Sequence, residues 1–170
     1  MPLPQTDAHA IAAFKRFYAL LPRNDDKVLV ILKLHLLVEE QVRAFLDERI
    51  HDKSALEKAS LDCHQAICLA EAMSTQDIHP NVWEAARKLN RLRNEVAHNL
   101  EPSGVLDRMS HICTLIGLSP NTLAATQLDS KLTPLDDFCF AVSLLYNELS
   151  LYVTRKAAGV LRLVQDESAS

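Results

Sequence analysis

Apolar residues recur along this chain at three- and four-residue spacing, and polar or proline-bearing breaks divide them into six segments. Ile11, Phe14, Phe17 or Tyr18 and Leu21 predict a first helix over about Ala8 to Leu21, capped by Thr6 or Asp7 and stopped by Pro22. Asn24-Asp25-Asp26 caps a second, about Lys27 to Ile50, whose first half is apolar on every side and belongs at the centre of a bundle. Its second half turns amphipathic, with Val38, Val42, Phe45 and Leu46 inward. Ser54 and Glu57 form a capping box for a third helix to about Met73, striped by Leu56, Ala59, Cys63, Ala66, Ile67 and Ala70. A fourth follows Pro80, with Asn81 and Glu84 at its cap and Val82, Ala86, Leu89, Val96 and Leu100 on one stripe. Val105 to Ile116 predicts a fifth, closed by Gly117. After a loop with one more helical turn, from Ser119 to Lys131, Thr133-Pro134-Leu135-Asp136 opens a last helix to about Leu163, weakest at Gly159.

These segments predict an all-α chain, an up-and-down helical bundle of five to six helices in a single domain over residues 1–170, with flexible ends at 1–6 and 165–170. Composition agrees: 3 Gly and 5% aromatics leave a helix-forming mixture, and no hairpin signal interrupts it. A net charge of -4 argues against a surface that binds nucleic acid all over, so any RNA contact is confined to a local basic patch. Cys63, Cys68, Cys113 and Cys139 contain no Cys-x-x-Cys pair and are expected to be reduced. Met1 to Gln5 has neither the basic nor the apolar part of a signal peptide, and the longest apolar run, Val28 to Val38, is too short to span a bilayer. The expectation is a cytoplasmic protein.

The chemistry concentrates in Leu89-Asn90-Arg91-Leu92-Arg93-Asn94-Glu95-Val96-Ala97-His98-Asn99-Leu100. An Arg, a polar residue after it and a His five positions on supply a fixed cation for phosphate and a titratable proton carrier. On a regular helix, however, Arg93 and His98 point about 140° apart, while Asn94 and His98 share a face. Three remedies exist: unwinding near His98, since Glu101 precedes Pro102; a second protomer; or Arg93 bending round the helix. Arg87, Arg91 and Asn90 extend the polar face, with Trp83 further back, where exposure would mark a partner interface. The bland alternative is a solvated face on which Arg91 pairs with Glu95, Arg93 reaches Glu39 or Glu40, and His98 ends the helix. His35 and Glu39, at i and i+4, read as a core-edge pair. Cys63, His64 and Cys68 do not converge on one ion, so no metal ligand is assigned and no cofactor is expected.

The segment Arg93-Asn94-Glu95-Val96-Ala97-His98, in an all-helical chain with a long apolar helix ahead of it, resembles the HEPN domains (higher eukaryotes and prokaryotes nucleotide-binding). The match covers Leu89 to Leu100. The resemblance implies a bundle of four or five helices that commonly dimerises and brings two motifs into one cleft. It also implies metal-independent cleavage of RNA, as in toxin-antitoxin or phage-defence systems, although other members lack catalysis. Carried over by residue, Arg93 and His98 become the catalytic pair and Asn94 the polar position after the Arg; Arg87, Arg91 and Asn90 become RNA-binding candidates. Expected partners are a second copy of the chain, RNA, and an antitoxin or nucleotidyltransferase protein. The alternative is a non-catalytic interaction or regulatory module of the same fold.

Overall fold

Side-chain caps set the start of five helices in the structure, a computed structural model that describes residues 5–22, 26–74, 78–118 and 133–167. Helix α1 spans Gln5–Leu20, and α2 spans Lys27–Asp47 behind Asp26, whose carboxylate accepts from the backbone N–H groups of Val28 and Leu29 at 3.0 and 3.1 Å. Helix α3, Lys53–Ala59, is capped by Asp52, and α4, Cys63–Ala72, by Asp62. Helix α5, Pro80–His98, starts with His79 Nδ1 accepting from Asn81 N at 3.2 Å, and Pro80 fills the first helical position, where no N–H is needed. Helix α6, Val105–Leu115, follows Gly104 in the left-handed region at φ 66. Helix α7, Pro134–Glu167, opens on reciprocal bonds between Thr133 and Asp136.

The chain is all-helical among the described residues, as the periodicity predicts, but the expected third helix is two. Ser60 adopts a left-handed φ of 49, and Asp62 then forms a full capping box with Gln65, at 2.8 Å in one direction and 3.0 Å in the other. Arg43 clips the break by donating to Leu61 O at 3.2 Å. A second start signal at Asp62 thus overrides the run of helix formers, and it fixes Cys63 in the first turn of α4. The expected loop from Ser119 to Lys131 lies outside the described residues; of the expected flexible end at 165–170, residues 165–167 instead continue the last helix and 168–170 lie outside the described residues.

Helix α2 is central: it packs on α7, α5 and α4, and α7 in turn packs on α6 and α1. Its buried side chains run from Val30 and Ile31 through Leu34, Leu37 and Val42 to Phe45 and Leu46, but its first half is not enclosed on every side as expected, since Val28, Lys33 and Leu36 are exposed. Phe45 meets Trp83 of α5 edge-on at 5.3 Å, and Phe17 of α1 meets Tyr146 of α7 at 5.3 Å. Trp83 is 1% exposed, so it belongs to the core and marks no partner surface. Two arginines tie helices together at the core's edge: Arg16 donates to Tyr146 Oη and Glu40, and Arg49 lies over the Phe45 ring and donates to Tyr152 O. No described helix is long and apolar enough to cross a membrane.

Candidate functional site

The fold turns α5 so that Val82, Trp83, Ala86, Leu89, Asn90 and Val96 are buried, which leaves the motif's polar residues toward the outer side of its last two turns. Arg91, Asn94 and His98 are exposed, and Arg93 is partly buried. Arg93 Nη1 donates to Asn94 Oδ1 at 2.8 Å, and among the described residues Arg93 has no carboxylate within ion-pair distance. Helix α5 keeps its form through His98 and ends at Asn99, which has extended backbone and bonds Glu95 O through both its N–H and its side chain. The unwinding therefore begins after His98, too late to swing it toward Arg93. Leu100, expected on the apolar stripe, lies beyond the end and is fully exposed.

Two residues of the expected phosphate-binding face are committed elsewhere. Arg87 forms ion pairs with Glu71 of α4 and, at 2.9 Å, with Glu84, so its charge is balanced within the fold. Asn90 is buried, and its Oδ1 lies 3.0 Å from His35 Nε2 on α2. Glu95 pairs with Arg108 of α6 at 3.0 Å rather than with Arg91. Arg91 instead lines a cavity of about 330 Å³ between α5 and α6, with Lys88, Arg108 and His111 as its other basic groups.

A second cluster forms where α2, α4 and α5 meet. Arg93 and Asn94 line a cavity of about 350 Å³ with His35, Glu39, Cys63 and Asn90; His98 does not reach it. Cys63 Sγ lies 3.3 Å from His35 Nε2, and His35 Nδ1 lies 3.8 Å from Glu39 Oε2. Glu39 Oε1 accepts from Arg43 Nη2 at 2.6 Å and Nε at 3.0 Å. Burial lowers the His35 pKa from its ordinary value, more than Glu39 and Asn90 raise it, and the charge of Arg93 lowers it further. Burial, reinforced by Glu39, pushes the Cys63 thiol up to about 12, so Cys63 holds its proton at neutral pH and is a poor nucleophile.

Within one chain, then, the imidazole beside Arg93 belongs to His35 and not to His98. The i,i+4 pair His35 and Glu39 is visible in the sequence, but Cys63 joins it only through the break at Ser60, so no spacing rule reveals the cluster. Compared with known proteins, the chain matches no family model, no curated protein and no solved structure.

Proposed function

We propose that this chain is a HEPN-like, metal-independent endoribonuclease that acts in the cytoplasm as a homodimer, of the toxin-antitoxin or phage-defence kind, and is held in check by a partner protein. The observation that carries the reading is the state of Arg93: a partly buried cation, held by Asn94 and left without a carboxylate partner among the described residues, in the same last two turns of α5 as the exposed Arg91 and His98. A cation kept in that state suits a phosphate that arrives with the ligand. Because Arg93 and His98 diverge around α5, each cleft takes both from two antiparallel copies of the helix. The ribose 2'-oxygen forms its bond to phosphorus as the bond from phosphorus to the 5'-oxygen breaks. His98 of one copy takes the 2'-hydroxyl proton, and that of the other gives a proton to the leaving 5'-oxygen. Arg93 holds the phosphate and offsets its developing charge.

A second reading, a non-catalytic interaction module, is favoured by the internal engagement of Arg87 and Asn90, which removes two groups from the binding face. Cleavage of mixed RNA in EDTA by wild type, Arg93→Ala and His98→Ala, matched for helicity and oligomeric state, separates the two. Cutting by wild type alone supports the nuclease. Inert protein in all three cases, across several RNAs, replaces it with the module.

A further inference from the structure

Two acceptors face each other in the cavity beside α5. His35 Nε2 has Asn90 Oδ1 at 3.0 Å and Cys63 Sγ at 3.3 Å; in the tautomer in which the Asn90 carbonyl accepts, Nε2 carries the ring proton. Nδ1 of the neutral ring is then a bare lone pair. It is buried, without a hydrogen-bond partner among the described residues, on a side chain that is 4% exposed and lines the cavity. Across from it, at 3.8 Å, is Glu39 Oε2, the carboxylate oxygen that Arg43 does not take. A lone pair and an anionic oxygen in that relation call for a cation. A proton is a poor occupant, because the separation is longer than a hydrogen bond and burial disfavours the imidazolium.

The third donor is Cys63. One donor atom from each of His35, Glu39 and Cys63 lies within 4.8 Å of the other two. Metal–donor bonds of about 2.0–2.3 Å place tetrahedral ligands roughly 3.3–3.8 Å apart, which the 3.8 Å from His35 Nδ1 to Glu39 Oε2 already meets. Cys63 Sγ, which lies 3.3 Å from Nε2, must turn toward the Nδ1 edge of the ring to complete the trio. We propose that His35 Nδ1, Glu39 Oε2 and Cys63 Sγ bind a zinc-class divalent cation, with the fourth position open to the cavity. The mixture of nitrogen, carboxylate and sulfur donors selects zinc over calcium or magnesium, which take oxygen alone. The ion displaces the Cys63 thiol proton to solvent, and thiolate plus carboxylate then offset its two charges, so the nearby Arg43 and Arg93 meet no net positive centre. Asn90 on Nε2 and Arg43 on Glu39 Oε1 are the outer partners that orient the ligands. The rival pair, His64 and Cys68, has its donors 3.7 Å apart on the exposed side of α4, with no third group among the described residues.

The proposal is independent of the ribonuclease reading, since its readout is metal binding. The full chain, reduced and freed of metal by EDTA and buffer exchange, is titrated with cobalt(II) and followed in the near-ultraviolet for the thiolate-to-cobalt band, then back-titrated with zinc. The expected result is one equivalent per chain, a band abolished by Cys63→Ser and kept by Cys68→Ser, and displacement of cobalt by zinc. Glu39→Gln, a change at a partly exposed position that leaves the core intact, should weaken binding at least about 10-fold, and Asn90→Ala about 10- to 100-fold. Circular dichroism of each metal-free variant shows that it is folded. If Cys63→Ser does not fold, Glu39→Gln decides alone. A wild type without the band overturns the proposal, as does a band lost in Cys68→Ser but kept in Cys63→Ser, or one that Glu39→Gln leaves unchanged.

Discussion

The two sides of α5 treat the same kinds of residue in opposite ways. Toward α2 and α4, Asn90 meets His35, and Arg87 meets Glu71 and Glu84, although His35 Nδ1 and Trp83 Nε1 are buried there without a partner among the described residues. Toward solvent, Arg91, Asn94 and His98 stand exposed, and Arg93, partly buried at the edge of the cavity between α2, α4 and α5, is bonded only by its neutral neighbour. Burial makes an unmatched polar group costly, so the inner side is settled by the fold. Water removes that pressure from the outer side, and a cluster of cations there is a choice that stability does not require. Substitutions on the two sides should therefore separate stability from function.

The largest effect belongs to the inner side. Trp83→Ala removes a fully buried indole packed on Phe45, and chemical denaturation should show a loss of about 3–5 kcal/mol. Trp83→Phe sharpens the point. Trp83 Nε1 is buried without an acceptor among the described residues, so the phenyl ring forfeits area but no hydrogen bond and should cost well under half as much. Equal losses in the two variants would mean that the indole N–H has a partner that matters.

Asn90→Ala comes next. It removes the amide oxygen beside the buried His35 Nε2 and leaves Cys63 Sγ as its remaining polar neighbour, and the expected loss is about 1–3 kcal/mol in the metal-free protein. Asn90→Asp is the informative companion, because it keeps an acceptor for His35 while placing a negative charge where the fold has a neutral amide. A surface reading of Asn90, in which it touches RNA rather than His35, predicts no stability change for alanine. Arg87→Ala follows at about 1 kcal/mol, the scale of a partly buried ion pair flanked by a second one, with RNA affinity unaltered. A drop in RNA affinity with unchanged stability would return Arg87 to the binding face.

The contrast also explains what could be read from the chain. Core positions such as Val42, Phe45, Ile67 and Leu89 announce themselves by period, and caps at Asp26 and Thr133 by residue type, because both are local rules. Ser54 and Glu57 mark the right region but not the cap, which is Asp52, and nothing in that run of helix formers announces the break at Ser60 that the box of Asp62 with Gln65 imposes. Trp83 and Asn90 were misplaced for another reason. The periodicity fixes angles around α5 but not the width of its buried stripe, and α2 and α4 together cover more of α5 than an apolar stripe alone indicates. The angular separation of Arg93 and His98 was legible, since a regular helix dictates it. That His35 comes to occupy the cavity beside Arg93 depends on a pairing with Asn90 across 55 positions of sequence, which no local pattern encodes.

On the outer side, stability should hardly move. Arg91→Ala and His98→Ala replace exposed side chains outside any described ion pair, so each should stay within about 0.5 kcal/mol of wild type. If the proposed ribonuclease reading holds, their effect is expected in the salt dependence of RNA binding. Removing a cation that neutralises one phosphate lowers the slope of log affinity against log salt by roughly 0.7 for single strands, so Arg91→Ala and Arg93→Ala should each flatten it by that amount. The double variant should flatten it by the sum if the two cations hold different phosphates. His98→Ala tests the division of labour directly: a proton carrier that holds no phosphate in the resting complex leaves the slope in place while cleavage disappears. A slope reduced as much by His98→Ala as by Arg93→Ala would make the end of α5 a binding surface alone, and the interaction module would then be the better description of this chain.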